Sequence, residues 1–332
     1  MNCRERVLNR LAGKPVDKIP NLNIIMTFAA KYVGVPYKKY ITDYRSLVEG
    51  NIACCEAFGI DMVSTISDPY RELYGFGGNI IFPEDDVPMC TDFLVKDYSD
   101  LKKLSVKDPL KSERMLDRIR AVELFKSRLS KSYPIQGFIE GAFAEAVDLR
   151  GMNGLMRDLI EQPAPVHEML EICTEQVIRF AEEQIKAGAD FIGVGDAAAS
   201  LIGPRHYQAF ALPYEKRICD AIHKGGVRVK LHVCGNITSI LNFMPLSGAD
   251  IIDVDWMVDF GKAVNAFAGK CSANGNFDPV SVMLRGTPAE VEQAVTKCVE
   301  ASNNTTCISA GCEIPKDTSF ENMLTLDRTL KN

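Results

Sequence analysis

The stretch VRVKLHVCGN, Val227 to Asn236, carries the signal that decides the fold. Val227, Val229, Leu231 and Val233 alternate with Arg228, Lys230, His232 and Cys234, the two-residue period of a β-strand. Gly235 punctuates its end. His232 and Cys234 fall two residues apart on this strand, so both project to one side. The chain has only four histidines. The pair is open to two readings: two packed core residues, or half of a metal site whose other ligands lie elsewhere. A lone His-x-Cys is more often packing than chemistry, so the decision rests on what the rest of the chain brings to the same place.

Seven further short runs, rich in Ile and Val and bounded by Gly, Pro or Asp, predict strands at Ile19–Met26, Met62–Ser67, Pro134–Gly141, Phe191–Asp196, Ile251–Trp256, Cys271–Asp278 and Cys307–Ile314. Helical patterns lie between them. In MLEICTEQVIRFAEEQIKAGAD the apolar residues Met169, Ile172, Cys173, Val177, Phe180, Ala181 and Ile185 recur near a 3.6-residue period, and Gly188 marks a stop. YEKRICDAIHKGG and PAEVEQAVTKCVEAS follow the same style, the second with Thr287 as N-cap and Pro288 at the first helical position.

Strands alternating with helices imply a parallel sheet, and eight such units predict a (β/α)8 TIM barrel, one domain spanning residues 1–332 with an N-terminal helical extension. An open doubly wound sheet is the alternative. It usually carries a Gly-rich phosphate turn after its first strand. Here that strand ends IIMTFAAKY, without GxGxxG, and no GxxxxGK[ST] occurs. Asp68 to Pro134 reads as an insertion after the second strand, with little strand signal, expected to pack over one end of the barrel.

The 332 residues are 46% hydrophobic and 25% charged, enough to bury a large core. The formal net charge is -6, with both signs mixed along the chain. A nucleic-acid partner would need a basic face, and none is legible. The opening MNCRERVLNRLAGKPVDKIP is charged and lacks the apolar core of a secretory signal, and no apolar run approaches a membrane span. The expectation is a cytoplasmic protein with no membrane association. Eleven cysteines, an odd number, do not suggest a disulfide framework in a reducing compartment. Cys54, Cys55, Cys173, Cys219 and Cys298 fit buried helix positions.

In barrels of this kind the reactive groups sit where strands end. Those ends deliver Asp68, Glu140, Asp196, His232, Cys234, Asp253, Asp255, Asn274, Asn276, Asp278, Cys312 and Glu313. A thiolate and an imidazole suit zinc. Cys312, at the tip of the eighth strand, is the best third ligand, and Asp255 or an incoming substrate could be the fourth. Three protein ligands with an open position are the arrangement of a catalytic zinc. Cys271 and Cys307 begin their strands and are excluded as ligands, since both would lie at the opposite end. Glu140, Asp196 and Asn276 are the candidate catalytic residues, although polar strand tips often only satisfy loop backbone. Asp253 is expected either to point away from Asp255 or to cap local structure.

The segments RERVLNRLAGKPVDKIP, FIEGAFAEAVDLRG, GDAAASLIGPRHYQAFALPYEKRI, LHVCGN, GADIIDVDW, NGNFDP and SAGCEIPKDTSFENM together resemble the uroporphyrinogen decarboxylase superfamily and, within it, the zinc-dependent corrinoid methyltransferases, which include methylcobalamin:coenzyme M methyltransferases. The resemblance covers almost the whole chain. The usual Gly-Pro-Phe centre is here Gly141-Ala142-Phe143. The His-x-Cys…Cys zinc motif of that branch matches at His232, Cys234 and Cys312. The decarboxylases carry an arginine-rich motif near the first strand, and MTFAAKYVGVPYKKY has no arginine. Asp68 lies near their pyrrole-binding aspartate and is carried over only as a pocket position; with Asn236 it is the candidate for the cofactor side.

The resemblance implies zinc as cofactor and methylcobalamin or a protein-bound corrinoid as co-substrate. It also implies a corrinoid protein as partner and a small thiol or methylated molecule as substrate. The methyl group would move from the corrinoid to a zinc-activated thiol. Two alternatives stay open: demethylation of a methylated substrate onto Co(I) corrinoid, and a decarboxylase-type lyase.

Overall fold

The Ile- and Val-rich runs form the wall of a TIM-barrel-like α/β fold in the computed structural model, which describes residues 1–331. Its strands are β1 Val63–Ser64, β2 Ile80–Ile81, β3 Met89–Cys90, β4 Ile135–Glu140, β5 Phe191–Gly195, β6 Arg228–His232, β7 Ile251–Val254, β8 Ser272–Phe277 and β9 Cys307–Ala310. Seven of them pair side by side in the order β1-β4-β5-β6-β7-β8-β9, while β2 and β3 make a separate ribbon. Every pair in the larger sheet is parallel. Strands β4, β5, β7, β8 and β9 are buried at every residue, as expected where side chains fill one face and helices cover the other.

The first expected strand, Ile19–Met26, is not a regular strand. Asn21 makes an isolated parallel bridge to Ile308, and its carbonyl accepts the Asp61 N–H at 2.8 Å. One extended segment thus bonds both to β9 and to the residues just before β1. Pro20 has no N–H to give a ladder, and side-chain amides stand in: Asn23 Oδ1 accepts the Ala310 N–H at 2.8 Å, and Asn21 Oδ1 accepts from Asn23 Nδ2 at 2.6 Å. The second expected strand shrinks to Val63–Ser64, because the Ser64 hydroxyl takes the Ile66 N–H and turns the chain.

The segment Asp68 to Pro134 holds the helix Arg71–Phe76, the β2–β3 ribbon and two short 3-10 turns. Its last helix, Glu113–Leu129, packs on β4 and on the helix Pro163–Ala187, so that part belongs to the outer helical ring. Helix Pro288–Glu300 starts as its sequence implies: Thr287 and Glu290 form a reciprocal capping box.

The N-terminal helix Cys3–Leu11 closes the floor. Its Val7 packs with Leu22, Met62, Phe191, Ile251 and Cys307, residues at or near the beginnings of strands. Arg4 clamps Asp190 just before β5, and Arg10 donates to the Thr306 carbonyl just before β9. At the opposite end the chain leaves the sheet in loops, and the polar strand-end residues gather there. Among the described residues no helix is long and apolar enough to cross a membrane.

Candidate metal centre

Strand β6 ends at His232, so Cys234 lies past the ladder and strand alternation does not place it beside the histidine. The loop does. Gly235 takes a positive φ of 91°, and its N–H donates to Asp255 Oδ2, which turns the Cys234 loop toward β7. On the other side Cys312 follows the end of β9 after Gly311. A Cβ on Gly311 would lie 2.5 Å from the Trp256 nitrogen and 2.7 Å from Asp255 Oδ1, so only glycine lets the two loops come this close.

The outcome is a cluster of His232, Cys234 and Cys312 whose donor atoms all lie within 4.8 Å of one another. Cys312 Sγ is 3.9 Å from His232 Nε2. Tetrahedral zinc with bonds of about 2.3 Å to sulfur and 2.0 Å to nitrogen needs donors roughly 3.5–3.8 Å apart, so this set fits the ion with little adjustment. Two soft sulfurs and one imidazole are also the donor chemistry zinc selects.

His232 is held by a network inside the barrel. Its Nδ1 lies 2.8 Å from Asp253 Oδ2. An ionised carboxylate only accepts, so Nδ1 carries the proton and Nε2 is the nitrogen turned to the sulfurs. Asp253 is itself pinned: Lys230 donates to Oδ2, and Asn274 Nδ2 donates to Oδ1 at 2.7 Å and to Ser309 Oγ at 2.9 Å. Burial opposes the charge on Asp253, but Lys230 and His232 hold its carboxyl down to about 2. Burial would also lower the proton affinity of His232, yet Asp253 and Cys312 outweigh it and push the imidazole up to about 10. The hydrogen bond with Cys312 lowers Cys234, and the same bond, with burial, raises Cys312.

The other candidates go to different places. Asp255 is not among the clustered donors: its carboxylate accepts the Gly235 and Trp256 N–H groups and holds both loops. Asn276 Nδ2 donates to the carbonyls of Asp255 and Val258 and braces the loop after β7. Asp196 points into the wall between sheet and helices. Its Oδ1 accepts the Ala144 N–H at 2.7 Å, and Oδ2 is buried without a partner. Burial pushes Asp196 up to about 7; burial, then the Asp196 charge, push Glu215 up to about 8. The Asp68 side chain is fully enclosed and paired with Arg114, which leaves no face for a ligand. Asn236 is exposed on the rim and caps its own turn through the Thr238 N–H. Glu140 Oε1 accepts from Arg71 Nη2 at 2.8 Å, and among the described residues no hydrogen bond reaches its Oε2.

Sequence reasoning missed the Lys230–Asp253–Asn274–Ser309 support, and the signal is one of register. His232 pairs with Asp253, and Asp253 with Asn274, so the three stand side by side on neighbouring strands. A cleft of about 460 Å³, lined by Thr27, Lys31, Tyr37, Asp85 and Lys316, adjoins the Cys312 loop rather than lying over the cluster. Thr27 links the two by donating its N–H and hydroxyl to Glu313.

The chain is 29% identical to the methylcobamide:CoM methyltransferase MtbA of Methanosarcina mazei over 335 aligned residues, covering 99% of this chain and 97% of that protein. It is 28% identical to the uroporphyrinogen decarboxylase of Carboxydothermus hydrogenoformans, over 83% of this chain and 79% of that one. In fold it matches a solved methyltransferase from Methanosarcina mazei with a TM-score of 0.91 at 23% identity, covering 99% of this chain and 98% of that one. The uroporphyrinogen decarboxylase (URO-D) family model matches residues 2–332. This chain belongs to the uroporphyrinogen decarboxylase family.

Proposed function

We propose that this protein is a zinc-dependent methyltransferase that moves a methyl group between a corrinoid and a small thiol or related acceptor. The observation that carries the reading is the convergence of His232, Cys234 and Cys312, from two distant pieces of chain, within 4.8 Å. The name of the Methanosarcina mazei relative supports the same chemistry. When bound, zinc supplies Lewis acidity that keeps a ligated thiol deprotonated near neutral pH. The chain's own residues do the rest. Asp253 fixes the tautomer of His232, Lys230 neutralises Asp253, and Gly235 and Gly311 let the two sulfur-bearing loops meet.

The decarboxylase reading loses support from the arginines. Arg71, Arg114 and Arg118 are buried and ion-paired with Glu140, Asp68 and Asp117, so their charge is already met within the protein. The reading extends to the fold and the partner. The segment at Asn21 serves as the eighth stave of the barrel, and the ribbon region after β1 is the insertion. Leu201, Trp256 and Met257 stay exposed on loops that follow β5 and β7, apolar rim surface that a cytoplasmic corrinoid-carrying protein would cover.

Metal analysis of the purified protein should find about one zinc per chain, matching three-ligand coordination. Incubation with methylcobalamin and a panel of thiols should then produce reduced corrinoid spectra and a methyl thioether. A zinc-free protein that is equally active would end the reading. If zinc is present and no thiol reacts, methyl ethers and methylamines with reduced corrinoid test the reverse transfer.

A further inference from the structure

We infer that Glu140 is the proton-transfer residue of this site, its free Oε2 exchanging the proton of the substrate thiol. The inference rests on the thiol reading above and adds a residue and a step to it.

The geometry begins with sheet register. Glu140 pairs with Gly195, and Gly195 pairs with His232. Directly paired residues of a parallel sheet face the same way, so Glu140 and His232 look into the mouth from two strands apart, about 10 Å between backbones. Between them stands a glycine. A Cβ on Gly195 would lie 3.3 Å from Glu140 Oε2 and 3.0 Å from the Phe138 ring, so that oxygen occupies the space a side chain would otherwise fill.

The side chain is anchored by one oxygen and open at the other. Arg71 Nη2 donates to Oε1 at 2.8 Å, and the backbone N–H of Glu140 is tied to Glu72. Among the described residues no hydrogen bond reaches Oε2, and the side chain retains 10% exposure. Asp68, Asp255 and Asn276 have their polar atoms engaged in the wall and loops, and the unpartnered Oδ2 of Asp196 is buried.

The surroundings give Glu140 something to do. Arg71 and Glu72 face it from helix Arg71–Phe76, Glu145 and Asp148 from helix Ala142–Arg150, and Cys234 from the loop after β6. Both oxygens of Glu145 and Oδ2 of Asp148 are buried without a hydrogen-bond partner, and Oε2 of Glu72 meets only Arg71 Nε at 3.5 Å. Four carboxyls around one guanidinium disfavour one another's charge, and Glu140 is the one whose oxygen takes the Arg71 Nη2 hydrogen bond. Burial first, then Glu72 and Asp148, raise Glu140 well above the usual carboxylate range, with Arg71 pulling the other way. A carboxylate with raised proton affinity is a better match to a thiol.

In the step, the thiol S–H bond breaks with its electron pair left on sulfur, and an O–H bond forms on Glu140 Oε2. The proton stays on Glu140 while the thiol is bound and leaves through the open mouth after the methylated product departs. In the reverse transfer the same O–H returns the proton to the departing heteroatom.

The test compares wild type, Glu140→Gln and Glu140→Asp, each zinc-loaded. Glu140→Asp keeps a charge for Arg71 and withdraws the free oxygen, which guards against a fold defect in the amide variant. Thiol binding is followed by calorimetry in buffers of different ionisation enthalpy. Wild type should keep the thiol proton, and Glu140→Gln should release about one more proton per thiol to the buffer. Methyl transfer should fall about 10²–10⁴-fold in Glu140→Gln near neutral pH. The deficit should shrink as pH approaches the thiol's own pKa, where no acceptor is needed. Equal proton counts with parallel pH profiles in all three proteins would overturn the inference. A wild type that holds zinc but neither binds nor methylates any thiol would instead overturn the functional reading on which it rests.

Discussion

Cys307 opens β9 and Cys312 follows its end, and the two thiols could hardly differ more. Cys307 is completely enclosed in the apolar floor with Val7, Leu22, Met62, Phe191 and Ile251, and burial pushes it up to about 12. Cys312 stands half-buried at the mouth beside His232 and Cys234. The same side chain is filler at one end of the strand and the proposed metal donor at the other. The difference lies in what each end of a parallel barrel collects. The floor is sealed by one amphipathic helix and wants apolar contact. The mouth is built from loops whose backbone and side-chain polar groups need partners.

This contrast can be broken experimentally. The largest effect should come from Cys312→Ala, which removes one of the three proposed ligands. Zinc should be lost and methyl transfer should fall by about 10³-fold or more, the several kcal/mol a Lewis acid supplies. Retention of stoichiometric zinc in that variant would refute the mouth assignment. Next comes the floor: Leu22→Ala should destabilise the protein by about 2–5 kcal/mol in urea unfolding while leaving zinc content intact. If zinc fell in step with stability, the two ends would not be separable.

Asp253→Asn should weaken zinc binding about 10–100-fold in chelator competition, because the amide no longer fixes the His232 tautomer and leaves Lys230 without its counter-charge. An unchanged affinity would reduce Asp253 to packing. The smallest effect, and the sharpest contrast, is chemical. After zinc is stripped, iodoacetamide should label Cys234, whose thiol is lowered by its bond from Cys312, while Cys307 stays unlabelled until the protein unfolds. Mapping the label by peptide mass fingerprint decides it, and prior loading with zinc should protect Cys234.

A second comparison, between the two walls of the mouth, shows where a list of polar strand ends stops being informative. On the β4–β5 side, Asp196 sits under Gly141, where an added Cβ would lie 2.4 Å from its Cγ, and is spent inside the wall. On the β6–β9 side, His232 and the two cysteines face one another. By position alone all are polar residues after apolar runs. Asp255, the fourth-ligand candidate by position, accepts the Gly235 and Trp256 N–H groups, hydrogen bonds that exist only once the loops meet.

Periodicity determined what local chemistry can determine: an alternating α/β chain, the parallel sheet, the Thr287 cap, and a His-x-Cys and a later Cys, each at a strand tip. Each of these depends on residues within a few positions of one another. Register and loop packing were left to the tertiary structure. They set Asp253 behind His232 and Glu140 across Gly195. They replaced the ladder at Asn21 with side-chain amides and stopped β6 at His232. Those outcomes follow from contacts between residues far apart in the chain, whose geometry no local pattern encodes.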